Sequence, residues 1–337
     1  MKRHLKLAAV QAAPVFLDRA ATIDKAIALM AQAAEGGAEL IGFPETWIPG
    51  YPWWIWLGPP HWGLQFAARY RRNAVRRDGP EMQHLCAAAR RYGLVAVFGY
   101  AELAGGSLYM GQTIVDSDGT IKLHRRKLKP SRAERMAFGE GDGSGLTVVD
   151  TSAGRVGALN CWEHLQPLSK FALASQHEEI HVASWPALSM GRGRAYAAGP
   201  EMSAAISQVY GIENGCFVVA ATTVMDEETL AIVADTDESR AMIAVPGLTA
   251  SGGAAMIYGP DGRPLAAPIP ESQEGVILAE ADREMLVAAK LGTDPAGHSG
   301  RPDVCRLLID RRTMSSVVDM AAPIDDDAAA QFASDRP

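Results

Sequence analysis

The sequence has few cysteines and no long hydrophobic run. Its four cysteines lie far apart, at positions 86, 161, 216 and 305, which is neither the spacing of a CxxC metal site nor the density of a small disulfide-bonded domain. Each is therefore expected to be a single thiol. No run of about 18 apolar residues is present, and charge returns at Asp18 before a convincing signal peptide could form. We expect a cytoplasmic protein.

The chain also lacks an excess of positive charge. Among its 337 residues, 32 lysines and arginines stand against 39 aspartates and glutamates, giving a formal net charge of -7. This balance argues against electrostatic binding of nucleic acid, and the one basic cluster, Arg125 to Lys127 with Lys129, is too local to change it. We expect small-molecule or protein partners, with no nucleic acid and no membrane.

Short apolar strands alternate with helical patterns along most of the chain. Asp118-Gly119 and Asp261-Gly262 are typical of hairpin turns and predict some antiparallel pairing. The remaining predicted elements are strands at 7–12, 38–43, 146–149, 155–160, 180–184 and 216–222 and helices at 21–34, 63–77, 80–92, 165–176 and 203–210.

No change of composition marks a linker between these elements. Because 48% of the residues are hydrophobic, the chain can bury a substantial core. The pattern predicts one α/β domain over residues 1–312, with mixed sheets faced by helices. Residues 313–337 are rich in proline, aspartate and small residues, which predicts a mobile C-terminal extension.

Cys161 stands where the strand at 155–160 meets the helix predicted over 165–176. Backbone N–H groups at a helix start are unpaired, and the helix dipole favours an anion there. This position is expected to lower the pKa of the thiol and to supply donors for an oxyanion. Cys161 is thus a candidate nucleophile, and inert packing of a buried thiol is the alternative.

Two kinds of base could serve such a nucleophile. His164 is only three residues away, but a cysteine at the turn usually projects away from the following helix, which favours a packing role for His164. Glu45 follows the strand at 38–43, and Lys127 ends a hairpin strand. Taken alone, each could equally be an ordinary salt-bridge partner or a solvated charge.

Aromatic residues are concentrated between positions 47 and 62, in "WIPGYPWWIWLGPPHW". Packing is the commoner role of such a cluster. The stretch begins two residues after Glu45, so Tyr51, Trp53 and Trp54 are expected to contact substrate, while Trp56 and Trp62 are expected to pack.

Three motifs occur in a fixed order: "FPETWIPGYP", "HRRKLKPSRAERMAFGEGDGS" and "GALNCWEHLQPLSK". They resemble the nitrilase branch of the carbon–nitrogen hydrolase superfamily, and the third is similar to bacterial aromatic and arylacetonitrile-hydrolysing nitrilases. The resemblance covers nearly the whole chain, as far as "DPAGHSGRPDV". It implies a four-layer α-β-β-α sandwich with two mixed sheets, a homodimer that builds a larger or spiral oligomer, and no metal or organic cofactor.

The same resemblance implies the residues of the site. Glu45, Lys127 and Cys161 match the family's catalytic triad, and Glu134 matches the carboxylate that orients the lysine and the substrate. His164 then becomes a structural member of its turn. The implied substrate contacts, besides those in the aromatic stretch, are Trp162, Trp185 and Pro186.

The implied reaction is hydrolysis of an aryl, arylacetic or 2-hydroxy nitrile to the carboxylic acid and ammonia. Glu45 would accept the thiol proton, Cys161 would form a thioimidate and then a thioester, and Lys127 would stabilise the negative charge. Burial raises and the neighbouring cation lowers the pKa of Glu45, and the sequence leaves the balance open. An amide- or cyanide-hydrolysing relative and a non-catalytic assembly subunit are the alternatives.

Three features depart from the family pattern and bear on substrate preference. Ser299 follows His298 where relatives often have an aromatic residue. The segment 189–196 carries two additional arginines. Asn160, directly before the candidate nucleophile, is a variable position.

Overall fold

The computed structural model describes residues 2–188, 196–243, 251–315 and 317. Its strands are β1 His4–Gln11, β2 Leu40–Gly42, β3 Val95–Ala104, β4 Ser107–Val115, β5 Ile121–Arg126, β6 Val149–Thr151, β7 Gly154–Asn160, β8 Ile180–Trp185, β9 Phe217–Thr222, β10 Met256–Tyr258 and β11 Gly275–Asp282. Its helices are α1 Arg19–Glu35, α2 Trp54–Leu57, α3 Pro60–Arg72, α4 Pro80–Tyr92, α5 Pro167–Ala174, α6 Pro200–Asn214, α7 Glu227–Val233, α8 Asp237–Ile243 and α9 Glu284–Gly292.

The strands form a mixed sheet, as the sequence predicts. Their hydrogen-bonded order is β5-β4-β3-β2-β1-β9-β8-β7-β6, with β11 also paired to β1 and β10 to β9. The sequence predicts two separate sheets, whereas in the structure a single residue pair, Gln11 with Thr222, joins β1 to β9 and connects them. We call the strands on the β1 side of this joint the first arm and those on the β9 side the second arm.

Apolar side chains of the two arms share one buried cluster. Gly42 on β2 makes room for it, since a Cβ there would lie 2.8 Å from Val182 Cγ1 and 3.0 Å from Val219 Cγ1. The members are Leu5, Leu7, Ala9, Leu40, Val95, Val97, Ile114, Ile277, Ala279 and Ala281 from the first arm and Val156, Ala158, Ile180, Val182, Phe217, Val219 and Ile257 from the second.

Helices cover the other faces of the arms. Met30 of α1 and Leu85 of α4 are buried in one cluster with first-arm residues. Leu173 of α5 and Tyr210 of α6 are buried in another with second-arm residues. The fold is therefore α/β, and its cores lie on both faces of the strands.

Local chemistry explains which predicted helices are correct. The prediction for α4 has the observed bounds, because Pro80 begins the helix and Gly93 ends it with φ +65° in the left-handed region. The helix predicted over 165–176 is present but shorter, because α5 begins at Pro167. Gln166 precedes this proline and is extended (φ -100°, ψ 101°), so a short 3₁₀-helix, Cys161–Leu165, is separated from α5.

The two predicted hairpins differ in the structure. Asp118-Gly119 joins the antiparallel strands β4 and β5, as predicted. The turn at Asp261-Gly262 also folds back antiparallel but more briefly, with hydrogen bonds from the Gly259 N–H to the Arg263 carbonyl at 2.9 Å and from the Leu265 N–H to the Ile257 carbonyl at 2.8 Å, while β10 pairs with β9 along its other edge. The strand predicted at 146–149 is displaced to β6.

Most of the predicted C-terminal extension, 313–337, lies outside the described residues. In the part of the chain that is described, no helix is long and apolar enough to cross a membrane.

Candidate active site

Three charged side chains meet inside the molecule. Lys127 Nζ donates to Glu45 Oε1 at 2.8 Å and to Glu134 Oε2 at 2.8 Å, and the side chains of Lys127 and Glu45 are 0% exposed. Cys161 is 6% exposed and lies close enough for the charges on all three groups to shift its pKa. The structure thus brings together residues from three distant motifs.

Strand ends place these residues. Glu45 follows β2, Lys127 comes directly after β5, and Cys161 directly after β7. The backbone of Lys127 is fixed by a 2.9 Å hydrogen bond from its N–H to the carbonyl of Met110 on β4. Gly99 on β3 lets the first motif come close, since a Cβ there would lie 2.1 Å from the carbonyl oxygen of Pro44.

Cys161 has a strained backbone, with φ +47°, which is uncommon for a residue other than glycine. The expectation of a lowered thiol pKa is wrong. Burial and the neighbouring Glu45 raise the pKa of Cys161 well above its usual value and outweigh the opposite effects of Lys127 and the Trp162 backbone N–H. This thiol therefore needs a base to remove its proton.

The two carboxylates on Lys127 are bound differently. Glu134 also accepts from the Tyr51 hydroxyl at 2.8 Å and from the Ser131 backbone N–H at 2.5 Å. Glu45 Oε2 is buried without a hydrogen-bond partner among the described residues. Burial raises the pKa of Glu45 more than Lys127 lowers it, and the negative charge of Glu134 raises it further. The direction that the sequence left open is therefore upward.

Lys127 remains a cation in this environment. Burial lowers its pKa, but Glu45 and Glu134 raise it by more, so the pKa lies above its usual value. An ammonium group has three hydrogens, and two of them bind the carboxylates. The third is available to a substrate.

Sequence reasoning missed a buried ion pair beside the triad. Arg125 Nη2 donates to both oxygens of Glu163 at 2.7 and 2.9 Å. Glu163 also accepts from the backbone N–H groups of Leu128 and Asn160. The pair therefore ties the turn that carries Cys161 to the strand end that carries Lys127. Glu163 directly follows Trp162 in the third motif, and Arg125 lies two residues before Lys127 in the second. Their opposite charges next to the candidate catalytic residues are the signal that could have identified the pair.

His164 does not face the thiol. Its Nδ1 lies 2.6 Å from the backbone carbonyl oxygen of Cys161 and its Nε2 2.9 Å from His181 Nε2. Burial lowers the pKa of His164 well below its usual value. The structural role expected for this residue agrees with that geometry.

The aromatic stretch divides into two groups. The Tyr51 hydroxyl binds Glu134 and accepts from Trp56 Nε1 at 3.1 Å, and the ring of Trp53 lies 4.6 Å from that of Tyr51. Trp54 instead packs against Phe66 and Tyr70. Trp56 thus has a polar contact as well as the predicted packing role.

The other predicted substrate contacts lie around the triad's turn and β8. Arg132 lies over the ring of Trp162, 4.8 Å from its centroid. The ring of Trp185 stacks on His164 at 5.0 Å, while its carbonyl oxygen accepts from the Glu45 backbone N–H at 3.4 Å. Pro186 is buried directly after β8. Their contact with substrate stays a prediction.

Two of the three departures from the family pattern lie in described residues, and they differ in burial. Asn160 is fully buried beside Cys161. His298 is exposed and lies beside Asp294, whose backbone N–H donates to the Ser299 hydroxyl. The arginine segment, apart from Tyr196 at its end, lies outside the described residues. No group of three or more histidine, cysteine or acidic side chains in the described ranges is arranged to hold a metal ion.

The chain is similar to known proteins along most of its length. The family model for carbon-nitrogen hydrolases matches residues 6–291. A nitrilase from Pseudomonas syringae pv. syringae (strain B728a) is 48% identical, covering 95% of this chain and 94% of its own. An arylacetone-specific nitrilase from Alcaligenes faecalis is 45% identical, covering 92% and 85%.

Solved structures show the same fold. The carbon-nitrogen hydrolase from Helicobacter pylori G27 matches with a TM-score of 0.67 and 20% identity, covering 89% of this chain and 96% of that one. Because the family model and both relatives extend over most of the sequence, the chain belongs to the carbon-nitrogen hydrolase family.

Proposed function

We propose that this protein is a nitrilase, which hydrolyses an organic nitrile to the carboxylic acid and ammonia. One observation carries the proposal: Lys127 is held between Glu45 and Glu134 beside the buried thiol of Cys161. The similarity to two nitrilases over most of the chain supports it.

The first half of the reaction forms a thioimidate. Glu45, through its unpartnered Oε2, accepts the thiol proton of Cys161, and the sulfur attacks the nitrile carbon. The C–S bond forms as one C–N bond of the triple bond breaks, and Lys127 with the Trp162 backbone N–H stabilises the charge on nitrogen. The proton on Glu45 then moves to that nitrogen.

The second half releases both products. Glu45 removes a proton from water as the oxygen adds to the thioimidate carbon. Glu45 returns this proton to the nitrogen, and the hydroxyl proton of the tetrahedral intermediate follows as the C–N bond breaks, so ammonia leaves and a thioester remains. A second water attacks the thioester and yields the carboxylic acid and the free thiol.

Glu134 acts by orientation in this scheme. Three donors hold it, from Lys127, Tyr51 and Ser131, so it fixes the position of the lysine. Glu45, with one free oxygen and a raised pKa, is the better proton acceptor near neutral pH.

The substrate we propose is an aryl, arylacetic or 2-hydroxy nitrile. Tyr51 and Trp53 lie in contact with each other beside Glu134, and Trp54, Trp162, Trp185 and Pro186 complete the proposed set of substrate contacts. The Alcaligenes relative is named as arylacetone-specific, which favours an aromatic substituent.

We also propose the finer architecture and the assembly. The two arms stack face to face between α1 with α4 and α5 with α6, which makes a four-layer α-β-β-α sandwich and is supported by the three apolar clusters. The chain forms a homodimer, and larger spiral oligomers, in the cytoplasm. Exposed apolar side chains on and beside α5 and α6 support a subunit contact there: Leu165, Leu168, Val209 and Ile212.

An ammonia-release assay tests the function. Benzonitrile, phenylacetonitrile, mandelonitrile, an aliphatic nitrile, cyanide and the matching amides are compared with wild-type protein, Cys161→Ala and Cys86→Ala. Cys86 is another buried free thiol and serves as the matched control. We expect release from aromatic nitriles by wild-type protein and Cys86→Ala only. Turnover by Cys161→Ala, or of amides but not nitriles, would sink the proposal.

A further inference from the structure

A row of buried polar side chains begins at the backbone of Cys161 and leads away from the triad. The mechanism above does not use it. His164 Nδ1 lies 2.6 Å from the Cys161 carbonyl oxygen, and His164 Nε2 lies 2.9 Å from His181 Nε2. His181 Nδ1 lies 2.7 Å from Glu178 Oε1, and the Tyr210 hydroxyl donates to Glu178 Oε2 at 2.7 Å. None of these four side chains is more than 2% exposed.

The hydrogens in this row can be counted. A carbonyl oxygen only accepts, so His164 Nδ1 carries a hydrogen. The 2.7 Å contact between His181 Nδ1 and Glu178 Oε1 holds a second hydrogen. The 2.9 Å contact between the two Nε2 atoms needs a third. The three contacts are satisfied together only when all three hydrogens are present.

The surroundings fix how His164 is bound. Glu178 contacts His181 directly, with both side chains 0% exposed. Burial and the neighbouring His181 lower the pKa of His164 well below its usual value. His164 is therefore a neutral ring with its hydrogen on Nδ1, and its Nε2 accepts from His181 Nε2.

The fold makes room for the contact between His181 and Glu178. A Cβ at Gly157 on β7 would lie 1.9 Å from Glu178 Oε1, so the strand leaves a space that the carboxylate fills. The ring of Tyr210 stacks on His181 with centroids 3.8 Å apart, and Trp185 stacks on His164. Each histidine ring of the row is therefore packed against an aromatic side chain.

Other ionisable groups facing the row come from several elements. Those acting on His164 and on the Glu178–Tyr210 end are Arg125 on β5, Lys170 on α5 and Cys216 before β9, and Lys290 on α9 acts on Cys216. Arg125 is already paired with Glu163 and Lys170 with Glu213. Both of these cations therefore have carboxylate partners outside the row.

We infer that Glu178 and His181, acting through His164, are positioning residues that hold the strained turn of Cys161. Without the hydrogen between the two Nε2 atoms, two nitrogen lone pairs face each other at 2.9 Å, or His164 changes tautomer and a lone pair faces the Cys161 carbonyl. The first change frees the ring that binds the turn, and the second removes its hydrogen bond to the backbone of a residue held at φ +47°. The inference rests on the proposed function.

Nitrogen-15 NMR of protein labelled in its histidine rings tests the row without any substrate. We expect His164 to carry its hydrogen on Nδ1 and its Nε2 to accept a hydrogen bond. In His181→Phe the Nε2 signal of His164 should move to the position of a nitrogen without a donor. A hydrogen on His164 Nε2 in folded wild-type protein, or an unchanged His164 signal in His181→Phe, would overturn the assignment.

Kinetics test the positioning role. His181→Phe keeps a ring beside Tyr210 but removes the hydrogen bond to His164, and should lower kcat by about tenfold to a hundredfold, the cost of a small misplacement, with KM little changed. In Glu178→Gln the amide can donate to His181 Nδ1, so a neutral row stays complete. We therefore expect kcat near the wild-type value.

A control variant and a second measurement distinguish failure of the positioning role from failure of the proposed function. Tyr100→Phe removes another buried hydrogen bond, to Thr113 at 2.8 Å, outside the row, and should leave kcat and its pH profile unchanged. The rate of Cys161 alkylation by iodoacetamide needs no nitrile turnover and should fall in His181→Phe. An unchanged alkylation rate would refute the positioning role even if no nitrile were hydrolysed, whereas wild-type inactivity alone would refute only the proposed function.

Discussion

At the scale of single residues, the two carboxylates that bind Lys127 are chemically unequal. Glu134 is held by three donors, whereas Glu45 Oε2 has no partner among the described residues. Burial and the charge of Glu134 raise the pKa of Glu45. A carboxylate with a raised pKa and a free oxygen is suited to take and return a proton at neutral pH.

Glu45→Gln should remove this proton transfer without unfolding the protein, because the amide oxygen can still accept from Lys127. We expect kcat to fall by about 10² to 10⁴, the usual range for loss of a general base, measured as ammonia release. Glu140→Gln, which changes an exposed partner of Lys129, should leave kcat unchanged. Near wild-type activity in Glu45→Gln would assign the base elsewhere.

The fall of kcat/KM on the acidic side of its pH profile, the acid limb, should reflect protonation of Glu45. Activity requires ionised Glu45, so a raised pKa places the limb above the ordinary glutamate range, and activity rises with pH through it. Glu134→Gln removes a negative charge that raises this pKa, so the limb should move to lower pH while kcat falls. A shift to higher pH would contradict this electrostatic coupling.

At the scale of elements, the buried pair of Arg125 and Glu163 joins the turn Cys161–Leu165 to the end of β5. Glu163 accepts from the guanidinium and from two backbone N–H groups. Removing one partner of a buried ion pair leaves the other charge uncompensated.

Arg125→Met should therefore destabilise the protein by about 3 kcal/mol or more, measured by urea denaturation. Arg155→Met removes an arginine whose side chain is 41% exposed and whose carboxylate partner is 3.9 Å away, and should change the free energy of unfolding by less than about 1 kcal/mol. Equal effects of the two substitutions would show that the buried pair does not stabilise the turn.

Gly99→Ala should displace the loop that carries Glu45, since the added Cβ would lie 2.1 Å from the Pro44 carbonyl oxygen. We expect lower kcat together with a lower melting temperature. Gly106→Ala, where nothing lies within 4 Å of the added atom, is the control. If both variants keep full activity, β3 does not set the position of Glu45.

The sequence predicts those elements whose ends are determined locally. Proline and glycine set the bounds of α4, and the same logic applied to Pro167 would have moved the predicted start of α5 from residue 165 to 167. The turn at Asp261-Gly262 shows the limit of local signals, because they predict its hairpin but not the pairing of β10 with β9.

At the scale of the whole molecule, the motifs identify Glu45, Lys127 and Cys161, but not the balance of charges among them. The raised thiol pKa depends on complete burial beside two carboxylates from other motifs. The row from His164 to Glu178 was missed for a similar reason, since it joins a turn to the residues before and within β8. Such contacts depend on tertiary packing, which residue patterns in one sequence do not specify.

The proposed subunit contact can be tested at this scale. Leu168 on α5 is 67% exposed, and Leu168→Lys should weaken association because a charge would be buried in an apolar contact. Sedimentation velocity should show a smaller species than wild-type protein at equal concentration. Leu64→Lys on α3, where the leucine is 69% exposed, is the matched control, and equal sedimentation of all three proteins would place the contact elsewhere.

The central claim is that Cys161 forms a covalent bond to a nitrile carbon. Rapid acid quenching during turnover of phenylacetonitrile, followed by mass spectrometry of the intact chain and its peptides, tests it most directly. We predict a thioimidate or thioester adduct, at most one per chain and confined to the peptide containing Cys161. Turnover with no adduct at that peptide, or with the adduct on another residue, would contradict the account.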